Sequence, residues 1–196
     1  MKTLSLNRVI LPALIVLLSL FAVSCQKESS LGSSSTTDTV TDAQAQTYAD
    51  ESTQADASFD DVQDVSMTAA EEEGDASVYG RAEGYHVPFT QLRLRLGPCA
   101  TITVTPNDST YPKTIVIDFG PTGCLCADGK FRRGAINIYL TGPIRHSGSV
   151  MTVTFVDFYL NNAHLEGTKI VSNLSENSNI KFTVQVVGGK VTFPNG

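Results

Sequence analysis

Tryptophan is absent, and the chain's six tyrosines and nine phenylalanines are scattered along it. That scatter leaves no aromatic platform on which sugar rings could stack. Histidine occurs three times and charged residues make up 17% of the chain, below the usual quarter. There is no glycine-rich phosphate loop, no nucleophile elbow and no nucleic-acid reading motif. These absences argue against an enzyme, a bound cofactor or a nucleic-acid partner. Long apolar runs are missing too, with one exception. Val9 to Val23, interrupted by Pro12 and Ser19, is shorter than the roughly 20 residues that cross a bilayer.

What is present begins with that run. Lys2 and Arg8 precede it with no acid among the first eight residues, which is the build of a signal peptide over residues 1–24. It ends in Ala22-Val23-Ser24-Cys25, which resembles the bacterial lipobox. A thiol is the side chain nucleophilic enough to take a diacylglyceryl group as a stable thioether. Each buried methylene adds about 0.8 kcal/mol, and several acyl chains make the anchoring durable. Cys25 is therefore the expected lipidation site and the membrane the expected partner, through a covalent lipid such as palmitate. Gln26, rather than Asp, implies outer-membrane sorting. Gln26-Lys27-Glu28 resembles the surface-export tag of Bacteroidota lipoproteins, so display at the cell surface is expected.

Charge divides the rest. Residues 26–78 hold 13 acids and one base, whereas residues 79–196 hold 7 acids and 11 bases. Residues 25–78 read as a lipidated N-terminus and acidic tether, with Ser/Thr-rich sequence to Thr41 too poor in apolar residues to order itself. If flexible throughout, such a tether spans about 40 Å. Asp38-Thr39-Val40 and Asp108-Ser109-Thr110 fit the triplet on which Bacteroidota O-glycosylate exported proteins, which makes Thr39 and Ser109 candidate sites. Tyr48, Ala55, Phe59, Val62 and Ala69 fall on a three-four spacing, which predicts an amphipathic helix over residues 43–70 that could dock on a basic sheet. Glu71-Glu72-Glu73-Gly74 then reads as a solvated charge run.

Residues 79–196 change character. Leu92, Leu94 and Leu96 alternate with Arg93 and Arg95, and Ile102 and Val104 alternate with threonines. Period-two runs recur at Ile115–Phe119, Ile136–Leu140, Val150–Leu160, Leu165–Val171 and Ile180–Val186. Gly97-Pro98, Gly120-Pro121, Asp128-Gly129, Gly142-Pro143, Asn161-Asn162 and Gly188-Gly189 read as turns between them. Strands this closely spaced pair antiparallel. The expected fold is mainly β, an antiparallel meander or sandwich, with the N-terminal helix as one way to cover its apolar face. The chain stops on Pro194-Asn195-Gly196, a turn sequence that ordinarily leads into a return strand, so a C-terminal truncation is expected.

With Cys25 lipidated, Cys99, Cys124 and Cys126 remain. An exported chain with three thiols should carry one disulfide, from Cys99 to Cys124 or Cys126. Gly123 gives the backbone beside Cys124 more freedom, which favours Cys99–Cys124. Cys-x-Cys has no His or further Cys near it in sequence, so no metal site is expected. His164 and Glu166 share a strand face without a third ligand. His146 beside Ser147 reads as a turn, and nothing fixes the separation of Asp118 and Asp157. Arg93, Arg95, Arg132 and Arg133 are the notable polar feature, a candidate patch for an anionic glycan.

Ile117-Asp118-Phe119-Gly120, Gly123-Cys124, Asp128-Gly129, Arg132-Arg133-Gly134 and Ile136 together resemble a family of uncharacterised Bacteroidota lipoproteins. Gly142, Gly148-Ser149, Phe155, Tyr159 and Glu166-Gly167-Thr168-Lys169 continue the resemblance over residues 99–193, as does Phe59-Asp60-Asp61-Val62. The resemblance implies a chain that continues past the Pro-Asn-Gly turn, and it brings no activity or site residues. Two function classes follow: a surface-displayed binding or structural module, or a periplasm-facing carrier of a lipid or outer-membrane component.

Overall fold

The computed structural model describes residues 41–78, 89–177 and 179–194. Residues 1–24, Cys25 and Thr39 lie outside the described residues, as do residues 79–88 and the closing Asn195-Gly196. Thr41–Gly196 forms one compact unit, so the helix expected in the tether packs with the sheet and the division between residues 78 and 79 is one of composition only.

Helix α1 spans Asp42–Val78. Its start is fixed by a reciprocal capping box: the Gln44 N–H donates to Thr41 Oγ1 at 3.3 Å and the Thr41 N–H to Gln44 Oε1 at 2.9 Å. From Asp42 to Ala57 every side chain except Ala55 is exposed. From Ser58 onward the helix docks, burying Ser58, Asp61, Val62, Val65, Ser66, Ala69, Ala70 and Glu73 at three-four spacing. It outruns the expected end at residue 70 because its acid run finds partners. Glu73 is fully buried against Lys113, and Glu71 pairs with Arg145 at 3.1 Å. Glu72 Oε1 and Oε2 accept the N–H groups of Gln91 and Leu92 at 2.8 and 3.1 Å, capping the next helix. The solvated run expected from sequence is thus a docking segment.

That next helix, α2, covers Thr90–Leu96, where alternation predicted a strand. Leu92 and Leu96 are buried and Leu94 is 69% exposed. In a helix the residues four apart share a face, and Leu, Arg and Gln are good helix formers, whereas a strand here would want β-branched residues. Gly97, at φ 66°, ends the helix, and a 3₁₀ turn runs over Gly97–Cys99.

Seven strands follow: β1 Thr101–Thr105, β2 Lys113–Asp118, β3 Cys124–Leu125, β4 Phe131–Leu140, β5 Val150–Leu160, β6 Ala163–Asn173 and β7 Phe182–Thr192. They form one antiparallel sheet in the order β1-β2-β4-β5-β6-β7, with β3 paired to the start of β4 beyond the end of β2. α1 lies across β4 and β5 and is joined to α2 through Glu72 and the Asp61–Arg95 pair. The inner face contributes Ile115, Ile117, Ile136, Ile138, Leu140, Met151, Val153, Phe158, Leu165 and Val171, all buried with Val62, Val65, Leu92 and Leu96. Full burial of each such side chain is worth about 1.5–3 kcal/mol. Covering by helices, rather than a second sheet, therefore satisfies the sheet's apolar face.

A line of bulges crosses the sheet. Gly134 in β4, at φ 79°, lies opposite two residues of β5, and a Cβ there would fall 2.1 Å from the carbonyl oxygen of Asp157. The extra residue changes the parity of β5: Phe155 faces inward before it, Phe158 and Leu160 after it, and Asp157 is exposed. A second bulge sets Gly167 of β6 against Gly188 and Gly189, so those glycines lie inside β7 rather than in the expected turn. Bulges bend and twist a sheet locally. Phe59 reaches the bent region, 3.3 Å from the position a Gly189 Cβ would take.

Candidate functional site

The four arginines of the expected patch are divided among three environments. Adjacent residues of a strand point to opposite faces, so Arg132 enters the core while Arg133 lies outside over the Tyr159 ring at 3.8 Å. On α2, two positions apart means nearly opposite sides: Arg93 is exposed, whereas Arg95 turns toward α1. No common anion-binding surface results.

Two of them instead build a buried ionic centre. Asp61 of α1, 1% exposed, accepts from Arg95 Nη2 at 2.6 Å, Lys130 Nζ at 2.6 Å and Arg132 Nη2 at 2.8 Å. Arg132 is fully buried and also holds Asp128 at 2.7 Å. Burial would raise the Asp61 carboxyl, but hydrogen bonding from Lys130 and the charge of Arg132 outweigh it and hold it below its ordinary value. Asp128 experiences the same contest and is lowered to about 2, chiefly by Arg132. Two further cations tie the sheet to α1. Lys113 pairs with Glu73 at 3.3 Å, with neither side chain exposed, and also donates to the carbonyls of Pro106 and Asp108. Lys169 Nζ donates to the Phe59 carbonyl at 2.9 Å, and burial pushes its ammonium below the usual value.

Beside this centre lies the sulfur group. Cys99 and Cys124 are joined by a disulfide with Cα atoms 5.7 Å apart, in the pairing favoured by sequence. Cys126 is a buried thiol. The sulfurs of all three lie within 4.8 Å of one another, because the 3₁₀ turn after α2 carries Cys99 onto β3. Burial pushes the Cys126 thiol up, against the pull of the Arg132 charge.

Of the remaining candidates, His164 and Glu166 do share a face: His164 stacks on Tyr159 with ring centroids 4.5 Å apart and its Nδ1 lies 3.9 Å from Glu166, which Lys190 holds at 3.1 Å. Asp118 is exposed and accepts the Gly120 N–H at 2.8 Å. Asp157 lies two strands away on its bulge, so the two carboxylates do not meet. His146 and Ser147 sit in the β4–β5 turn, where the His146 N–H donates to the Pro143 carbonyl. Ser109 is exposed in the β1–β2 turn, which Asp108 Oδ1 closes by accepting the N–H and Oγ1 of Thr110.

A cleft of about 250 Å³ opens where the β4–β5 turn meets the β6–β7 connection. Arg145, 62% exposed, stands at its rim. Ser147, Asn173, Glu176, Asn177 and Asn179 supply hydroxyl, carboxylate and amide groups, and Ile180 and Phe182 give it an apolar wall. Asn173 is fixed by donating to the Ile144 carbonyl at 2.8 Å. Arg145 and these asparagines were not singled out from sequence as binding residues. Their signal was clustering in two turns that strand pairing brings together, which no single segment reveals.

No family model, curated protein or solved structure matches this chain.

Proposed function

We propose that the chain is an exported lipoprotein, anchored through Cys25 in the outer membrane and displayed at the cell surface as a binding module for an anionic glycan. The address rests on Lys2, Arg8 and the apolar run ending in Ala22-Val23-Ser24-Cys25. The observation that carries binding is the Arg145 cleft: a guanidinium recognises carboxylate or sulfate in two-pronged fashion, and side-chain amides suit sugar hydroxyls. The glycan thus moves from the four-arginine patch to an amide-lined cleft that carries Arg145 and Glu176. A lipid carrier would need the sheet's inner face, which α1 and α2 occupy with Val62, Val65, Leu92 and Leu96.

Two measurements test the proposal. Protease treatment of intact cells should remove the domain, and the mass of the N-terminal peptide should show acylated Cys25. Full protection, or an unmodified cysteine, would overturn surface anchoring. Titration with polygalacturonate should give salt-sensitive binding that Arg145→Ala weakens at least about tenfold. Equal binding by parent and variant rejects the cleft.

A further inference from the structure

Three sulfurs from two segments converge beside a cationic network, and the disulfide accounts for two of them. The third, Cys126, is 3% exposed, so its nearest reactive chemistry is that of its own neighbours. Among the described residues, the His, Cys, Asp and Glu ligand atoms lying within 4.8 Å of one another stop at these three. Metal–thiolate bonds of about 2.3 Å set three sulfurs about 4 Å apart around a shared ion. The Cys126 sulfur already lies within 4.8 Å of both bridge sulfurs, and breaking the Cys99–Cys124 bond frees that pair to part.

We propose that the reduced chain binds Cu(I) in a trigonal site formed by the thiolates of Cys99, Cys124 and Cys126, and that the disulfide is the closed form of that site. Ligand chemistry selects the ion. Thiolates are soft and favour Cu(I), whereas structural zinc sites take four ligands. The nearby charge of Arg132, which pulls on the Cys126 thiol, offsets part of the negative charge that three thiolates bring. Opening the site takes two electrons and two protons from a dithiol, which leaves as its own disulfide. Copper then displaces one proton from each of the three thiols to solvent and keeps its oxidation state.

The cluster explains a feature that a structural disulfide alone does not: a buried third thiol held against the bridge. It also sets a gate. Only the reduced chain offers three donors, so metal occupancy reports the redox state of the surroundings.

The test uses the full chain with Cys25→Ser, which leaves these three thiols alone. After reduction by a phosphine and anaerobic desalting, Cu(I) is titrated in competition with bicinchoninate. One equivalent should bind per reduced chain and none per oxidised chain. Cys126→Ser, which retains the disulfide pair, should weaken binding at least about tenfold. One equivalent of Cu(I) should also raise the thermal midpoint of the reduced parent and not that of Cys126→Ser, because binding to the folded state stabilises it. Equal affinity in parent and variant overturns the proposal, as does equal binding by the oxidised chain or an unmoved midpoint in the parent.

Discussion

Asp61 is a single carboxylate asked to neutralise three cations inside the core. Removing it leaves the fully buried Arg132 guanidinium with Asp128 alone as its counter-charge. Asp61→Ala should therefore cost about 3–5 kcal/mol, read as a shift of the urea midpoint. The pH dependence follows from the same contacts. Asp61 is held below its ordinary value and Asp128 at about 2. Their stabilisation is complete above the unfolded carboxylate value of about 3.9 and is lost as pH falls through the folded values. The urea midpoint should fall steeply between about pH 4 and 2, and the fall should shrink when Asp61 and Asp128 are both replaced by Ala. The Cys99–Cys124 bridge could be read from the residues, because an odd thiol count in an exported chain and a glycine beside one candidate narrow the choice. Arg132 could not. Buried arginine is rare, so neighbouring arginines on a strand read as surface until the partner carboxylate, distant in sequence, is known to be inside.

Among the elements, most strands were legible because β-branched residues alternate with polar ones from Ile102 to Val186. The Thr90–Leu96 segment was not, since seven residues with apolar positions two apart satisfy a helical face at four apart as well. Gly188-Gly189 misled for a different reason: a bulge uses the same residues as a turn but lets the strand continue to Thr192. Gly134 is the sharpest constraint of this kind. Gly134→Ala would bring a Cβ against the Asp157 carbonyl at a positive φ, and should cost at least about 2 kcal/mol in equilibrium unfolding. Helix docking has its own test at Glu73 and Lys113, both buried. Glu73→Gln or Lys113→Met alone should destabilise by about 3 kcal/mol, while Glu73→Met with Lys113→Met should recover most of that loss, because the pair's desolvation cost disappears with it. A double-mutant cycle measures the recovery.

On the scale of the whole molecule, composition located the partners correctly but drew the boundary through them. Asp61, Glu71 and Glu73 of the acidic segment pair with Arg95, Lys130, Arg132, Arg145 and Lys113 of the basic one. A charge boundary in the sequence is here an interface in the fold. The Cys99–Cys124 bridge closes a loop of 25 residues. Its reduction should lower stability by about 3.5 kcal/mol, read from the guanidinium midpoint with and without reductant.

The spacing of Asp61 from its cations has a consequence in time. Arg95, Lys130 and Arg132 follow it by 34, 69 and 71 residues, and Lys169 follows Phe59 by 110. An N-terminal helix whose counter-charges arrive so late cannot bury its carboxylate until β4 is in place. Loop closure over such distances slows folding. Docking of helix α1 is therefore expected to follow the formation of β4. Substitutions on its docking face should quicken unfolding while leaving the rate of sheet formation almost unchanged.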